Sequence, residues 1–383
     1  MSATNERPFY DRDGIRLFHG DALDVCPTWP ADALDAVITD GPYGLGFMGA
    51  AWDHGVPGVP FWTAALRAMK PGAALLAFGG TRTFHRLAVA IEDAGFELRD
   101  TLGWIYGSGF PKSLDVAKAI DDAAGVDNVV GEIPDRWTGK GSSLNFATDR
   151  AQATCKVTAP ATDAAKAWDG WGTALKPAWE PIIMARKPLA GTVAANVLAY
   201  GTGALNLGTR DEAGRWPANI LHDGSDEALA VFPKSAGGGY PERGGTAGIS
   251  TSGHAGYGAP VRVNTPPGNV ARFYYCAKAA PSERWAFCRE CGATFLRLER
   301  ARHPHGLKGW DHLIVHPTQK PLALMKYLVR LTVPSGALIA DLFAGSGTTL
   351  IAAGACGVRA VGIERELDHC RIAAGRLALP LGF

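Results

Sequence analysis

Two short strand-and-turn motifs stand near opposite ends of this chain, and any fold it adopts must account for both. Near the C-terminus, Leu338-Ile339-Ala340-Asp341-Leu342-Phe343-Ala344-Gly345-Ser346-Gly347-Thr348-Thr349 reads as a buried strand, a glycine turn and the start of a helix. Near the N-terminus, Ala36-Val37-Ile38-Thr39-Asp40-Gly41-Pro42-Tyr43 reads as a second apolar strand, ending in an acid, a tight turn and an exposed aromatic. A strand that ends in Asp341 and turns through Gly345 and Gly347 brings a ligand to the carboxyl edge of a sheet. The next apolar run, Ala360 to Ile363, ends in Glu364, placed like the acid that binds ribose hydroxyls in dinucleotide sites. A phosphate loop would need a Gly-Lys-Ser/Thr ending, whereas Gly347 is followed by Thr348 and Thr349. The C-terminal motif therefore reads as a nucleoside site without a phosphate cradle.

Between these motifs the pattern changes twice. Ile15 to Phe18, Ala36 to Asp40, Ala73 to Phe78 and Glu97 to Tyr106 are strand-like, with helical spacing over Phe61 to Met69 and Thr83 to Ala94. Lys70-Pro71-Gly72 and Ala94-Gly95 are expected to end those helices. Strands alternating with helices predict a parallel α/β sheet. From Gly107 to about Ala271 the chain is rich in Gly, Ser, Thr and Pro, which predicts a large inserted region projecting from the sheet. Regularity returns with helices over Pro321 to Val333, Thr348 to Cys356 and Glu366 to Leu377, and strands over Leu338 to Asp341 and Arg359 to Glu364. The expected divisions are 1–106, 107–270, 271–315 and 316–383, with the first and last closing into one domain.

With 383 residues and 47% hydrophobic content the chain can bury a large core. Its net charge of +1 excludes a globally basic nucleic-acid binder, so any such surface is local. Seven scattered cysteines argue against a disulfide framework and for a reducing compartment. No signal peptide or membrane span is legible, so a soluble, cytoplasmic protein is expected.

In combination, these motifs resemble the DNA amino-methyltransferases that use S-adenosylmethionine (SAM). Because the Asp40 turn precedes the Gly345 turn, the resemblance is to the circularly permuted β class. The segments Gly44 to Asp53, Gly107 to Ser113, Ala174 to Pro181 and Gly214 to Asn219 also look like phage and prophage members. The resemblance implies a permuted Rossmann-like methyltransferase fold with an inserted target-recognition region over 107–270. It also implies double-stranded DNA as substrate. SAM suits a site that lacks a phosphate cradle. Its expected contacts are Asp21, Ala22, Asp341, Phe343, Gly345, Gly347, Thr348 and Glu364, with Thr318 and Lys320 at the methionine end.

The Asp40 carboxylate and the Gly41 carbonyl would hold the two hydrogens of an exocyclic amine, aiming its nitrogen at the methyl donor. Pro42 completes the turn, and Tyr43 offers a face for stacking an extruded base. The family pattern is Asp/Asn/Ser-Pro-Pro-Tyr/Phe; Gly41 keeps the carbonyl but drops one proline, which predicts a looser loop. Asp rather than Ser at position 40 favours adenine N6 over cytosine N4. RNA or a protein amide as substrate remains an alternative, as does a DNA-binding module with impaired catalysis.

Cys288-Arg289-Glu290-Cys291 is half of a zinc-ribbon pattern, and His303 and His305 would complete four ligands for a structural zinc. Between Ala271 and Arg330, eleven basic residues face four acidic ones, which suits phosphate contact. Whether the protein acts as a monomer or a homodimer, and whether a restriction nuclease accompanies it, is not legible.

Overall fold

A computed structural model of the protein describes residues 7–46, 53–107, 113–126, 128–134, 154–208, 217–230, 234–235, 268–269, 274–275, 285–296, 313–315 and 319–379. Both chain ends enter one ten-stranded sheet. Its order is Tyr10–Arg12, Ile15–His19, Arg359–Glu364, Leu338–Asp341, Leu34–Thr39, Met69–Phe78, Trp179–Arg186, Glu97–Ile105, Ile220–His222 and Tyr274–Tyr275. The joins between N- and C-terminal segments are parallel: Ile15 pairs with Ala360, and Ala36 with Ile339.

Alternation along the central strands explains the layering. Ala36 and Ile38 pack on one face with Leu324, Leu328, Leu350 and Ala373 from the helices Leu322–Thr332, Thr348–Ala355 and Leu367–Leu377. Val37 and Ala340 pack on the other face with Trp62, Ala65, Leu87 and Ile91 from the helices Val59–Ala68 and Phe84–Asp93. A sheet covered on both faces needs near-continuous apolar strands, which is why Leu34–Thr39 is buried at every position. Each fully buried aliphatic side chain there contributes about 1.5–3 kcal/mol. Among the described residues no helix is long and apolar enough to cross a membrane.

From the adjacent strands Leu338–Asp341 and Leu34–Thr39 the chain departs in opposite directions. The first leads through Thr348–Ala355 to Arg359–Glu364, and the second through Val59–Ala68 to Met69–Phe78. The divergence opens a crevice at their carboxyl ends, where ligands bind in open α/β sheets.

Two expectations need correction. Lys70-Pro71-Gly72 does not follow its helix as a separate stop but lies inside the strand Met69–Phe78. Gly72 takes φ +77°, and the Asn196 amide donates to the Pro71 carbonyl, so the irregular step is stitched from outside the strand. The stretch 107–270 is not one projecting insertion either. Trp179–Arg186 enters the middle of the sheet, antiparallel to Met69–Phe78 and Glu97–Ile105, and Ile220–His222 adds a parallel strand beyond them. Ile182, Ile183 and Ala185 are almost wholly buried there; the flanking Gly and Pro disguise a core strand.

Trp285–Cys288, Thr294–Leu296 and Leu313–Val315 form a small antiparallel sheet against the helix Leu367–Leu377. Arg289 pairs with Asp368 at 2.6 Å, and the Arg371 guanidinium lies 5.6 Å from the Phe287 ring centre. Cys288 is buried and Cys291 exposed on the turn of this hairpin, while His303 and His305 lie outside the described residues. Among the described residues no group of three or more His, Cys, Asp and Glu could hold a metal, so the expected zinc site finds no support. The hairpin core of Ala286, Cys288, Phe295 and Leu313 is an apolar cluster, which gives the buried thiol a packing role.

Candidate functional site

The crevice is a cleft of about 1440 Å³, and the two motifs form its walls. Asp21, Ala22, Asp40, Gly41, Pro42, Tyr43, Lys320, Asp341, Phe343, Gly345, Thr348 and Glu364 all line it. Gly347 ends the glycine turn as the N-cap of the helix Thr348–Ala355, and Thr318 lies outside the described residues. Reading the two motifs as one site thus assembles nearly every expected residue.

Local chemistry sets the shape of the glycine turn. Gly345 and Gly347 take φ of +53° and +77°, values that L side chains rarely adopt. A Cβ on Gly347 would also stand 3.0 Å from Ala373 Cβ. Glu364 braces the turn, accepting from Gly345 N–H at 2.8 Å and from Glu366 N–H at 2.7 Å. Each carboxylate oxygen keeps a further lone pair for a ligand hydroxyl. From the helix Leu367–Leu377, buried Arg376 donates to the Ser346 and Thr348 hydroxyls at 2.9 and 3.1 Å. Asp21 caps the helix Ala22–Val25 through Leu23 N–H at 2.8 Å.

Asp341 links the two walls. It accepts from the Thr39 hydroxyl at 2.7 Å and from Phe343 N–H at 3.1 Å. Burial pushes its carboxyl up to about 6, against the lowering effect of these hydrogen bonds and of Thr349. Because the folded value lies above the ordinary 3.8, the folded state binds the proton more tightly than the unfolded chain. Stability from this group is therefore present at low pH and is lost as pH rises from about 4 to 6. The full linkage is about 3 kcal/mol. Asp341→Asn should flatten that slope and stabilise the ligand-free protein at pH 7.5 by about 1–2 kcal/mol, after its amide takes up a new partner. Urea denaturation of both proteins from pH 4.5 to 7.5 checks it; parallel pH curves would refute the assignment.

The Asp40 loop is held more firmly than its glycine suggested. The Thr83 hydroxyl donates to the Tyr43 carbonyl at 2.6 Å, and Asp53 accepts from Gly44 and Leu45 N–H at 2.7 and 3.2 Å. A Cβ on Gly41 would meet Phe343 Cδ2 at 3.0 Å and Pro57 Cγ at 3.1 Å. Phe343 is itself packed on Phe61, with ring centres 5.6 Å apart. The expected looseness is thus replaced by close packing: the smaller residue makes room for the aromatic of the other motif. Gly41→Pro, although it restores the family pattern, should lower stability by about 1 kcal/mol and weaken ligand binding several-fold by displacing Phe343. Thermal melts and calorimetric titration test this; a higher melting temperature with unchanged affinity would reject it.

At the base of this loop lies a cluster of buried charges that the motifs did not reveal. Lys320 Nζ stands 2.8 Å from Asp40 Oδ2, 3.1 Å from Glu180 Oε2 and 3.1 Å from the Tyr43 hydroxyl. Three donors meet three acceptors, so the ammonium is saturated. It also lies 4.9 Å from the Phe78 ring centre. Lys320, expected at the cofactor carboxylate, lines the cleft, and its side chain pairs there with the two carboxylates at the Asp40 loop. The Tyr43 hydroxyl reaches Asp40 Oδ1 and Glu180 Oε2, both at 3.0 Å, and its one hydrogen can serve only one of them at a time.

Electrostatics separates the members of this cluster. Burial, then the Glu180 charge, raises the Asp40 carboxyl above the usual range despite Lys320. Burial also works to raise Glu180, but Lys320 and hydrogen bonds from Tyr43 and Tyr106 overcome it and leave that carboxyl lowered. Burial alone would lower Lys320; the two carboxylates reverse this and bring it up to about 12. Glu180 is the second residue of the strand Trp179–Arg186. Because that strand runs against its neighbours, its first residues arrive at the edge where the others end. Antiparallel entry was the missing signal, since the segment Ala174 to Pro181 alone does not specify direction.

Comparisons with known proteins agree with this assembly. The family model described as DNA methylase matches residues 34–375. The chain is 24% identical over 316 residues to the Type II methyltransferase M.HindIII of Haemophilus influenzae, covering 82% of this chain and 65% of that protein. It is 42% identical over 62 residues to the Type II methyltransferase M2.DpnII of Streptococcus pneumoniae, covering 16% of this chain and 23% of that protein. The chain thus spans less than two thirds of the length of these curated relatives. Among solved structures, the PvuII DNA methyltransferase (cytosine-N4-specific) superposes with a TM-score of 0.50 at 14% identity, covering 100% of this chain and 92% of that one; the likeness is one of fold. Since the family match begins with the strand that delivers Asp40 and runs on past the glycine turn and Glu364, both walls of the cleft fall within it, and the chain belongs to the DNA methylase family.

Proposed function

We propose that this protein transfers a methyl group from SAM to the exocyclic amine of a base flipped out of double-stranded DNA, with adenine N6 as the favoured target. The observation that carries the reading is the meeting of the Asp40 loop and the acid-lined glycine turn in one cleft, joined by the Thr39–Asp341 hydrogen bond. Asp21, Asp341 and Glu364 give that wall acceptors and negative charge. Such a wall suits ribose hydroxyls and the cationic amine and sulfonium of SAM, and repels nucleotide phosphates. Ala22, Phe343, Gly345, Gly347 and Thr348 shape the remainder. Bound SAM supplies an electrophilic methyl carbon.

The chain's own residues hold the amine. At rest the Tyr43 hydroxyl occupies Asp40 Oδ1. An incoming amine takes its place there and donates its second hydrogen to the Gly41 carbonyl, which releases the Tyr43 ring to stack on the base. With SAM bound as the methyl donor, Asp40 and the Gly41 carbonyl would hold the amine in line with it, and Asp40 would take up the proton that the methylated nitrogen must lose. The preference for adenine rests on Asp rather than Ser at position 40.

Incubation with labelled SAM and duplex DNA, RNA or protein, followed by digestion, tests the reading. N6-methyladenine in the DNA is expected. N4-methylcytosine would move the target to cytosine, and label confined to RNA or protein, or no label at all, would overturn the proposal.

A further inference from the structure

Glu180 belongs to neither of the motifs that form the cleft, yet it is bound to the Asp40 loop from two directions. Its Oε2 lies 3.1 Å from Lys320 Nζ and 3.0 Å from the Tyr43 hydroxyl, and both of those groups also touch Asp40. Its side chain is only 19% exposed, as is that of Asp40, and Lys320 is 9% exposed. Two carboxylates and one ammonium confined in so small a space carry a net negative charge, an arrangement costly enough to call for a use. A single Asp–Lys pair would balance without it.

We propose that Glu180 is a positioning residue for methyl transfer, holding Lys320 against Asp40 and keeping a fixed negative charge beside it. The inference rests on the reading of Asp40 as the residue that binds the amine. When the base enters and the Tyr43 hydroxyl leaves Asp40 Oδ1, Glu180 still anchors Lys320. Lys320 in turn keeps Asp40 Oδ2 in place, so the carboxylate does not rotate away from the amine. The nitrogen that has gained the methyl group loses its proton to Asp40, and the nearby Glu180 charge strengthens Asp40 as the acceptor. The groups facing Asp40 are Lys320, Glu180 and Tyr43, with Asp341 close enough to interact and Tyr106 hydrogen-bonded to Glu180. Two carboxylates pushed in opposite directions by one site is the pattern that separates an acceptor of protons from a permanent anion.

Glu180→Gln keeps the shape and removes the charge. On a DNA substrate that the wild type methylates, its kcat should fall about 10- to 100-fold while KM for SAM stays within about two-fold. The acid limb of the kcat profile should move to lower pH by about one unit, because Asp40 loses a neighbouring negative charge. Glu180→Asp, which keeps the charge on a shorter arm, should lose rate but retain the wild-type acid limb. Circular dichroism and calorimetric SAM titration check that the variants are folded and bind cofactor. A Glu180→Gln enzyme with kcat within about two-fold of wild type, or with reduced kcat and an unmoved acid limb, would overturn the proposal. If the wild type itself labels no DNA, the failure lies with the reading of the whole cleft, and the role of Glu180 falls with it.

Discussion

Asp40→Ala should reduce methyl transfer by at least about 1000-fold while leaving SAM binding within a few-fold of wild type. The size follows from the double role of this carboxylate, which both orients the amine and accepts its proton. Losing a single preorganised partner of a reacting group commonly costs about 100- to 1000-fold. Binding should survive because the Asp341, Glu364 and glycine-turn contacts lie on the other wall and keep their own braces. The fold should survive as well. Removing Asp40 leaves Lys320 facing Glu180 alone, one cation with one anion at 3.1 Å. Stopped-time assays with labelled SAM, with calorimetry beside them, measure both quantities. Residual transfer within ten-fold of wild type would remove Asp40 from the chemistry, and a parallel loss of SAM affinity would mean that it serves the cofactor instead.

What the sequence made legible, and what it did not, divides along a physical line. The strands ending in Asp40, Asp341 and Glu364, and the helices that follow them, are marked by apolar runs meeting glycine or proline, which act locally. The union of the two chain ends was legible because neither half can cover its strands alone. Trp179–Arg186 escaped notice for the opposite reason. Its apolar core, Ile182 to Ala185, is short and sits between Pro181 and Pro188, so the local signal is that of a loop; only pairing with strands some 80 to 110 residues away makes it central. Lys320 was read by its motif as a cofactor ligand, and its pairing with Glu180 was not legible because that residue arrives on the unseen strand. Gly41 looked like a loss of rigidity because the space taken by Phe343 is not visible from either motif alone.

The same charge count makes Lys320→Met the more damaging change to the fold. Methionine fills the volume of the aliphatic stem against Phe78, so packing is largely kept, but Asp40 and Glu180 are left together without a cation. Breaking a buried ion pair from one side costs about 3–5 kcal/mol; with side chains 19% exposed here, about 2–4 kcal/mol is expected at pH 8. The loss must depend on pH in one direction. Without Lys320 the two carboxylates repel, and at least one has a folded pKa raised above its unfolded value. The folded state then binds more protons than the unfolded chain, so stability rises as pH falls, and the deficit against wild type shrinks in the same direction. Adding Glu180→Gln to Lys320→Met removes the repulsion and should restore a large part of the stability at pH 8, a coupling that independent sites would not show. Methyl transfer should stay low in the double variant, because Asp40 has lost both groups that orient it. Urea denaturation of wild type, both single variants and the double variant at pH 5.5 and 8 provides the cycle; additive losses with no pH dependence would mean that the three side chains do not share one electrostatic site.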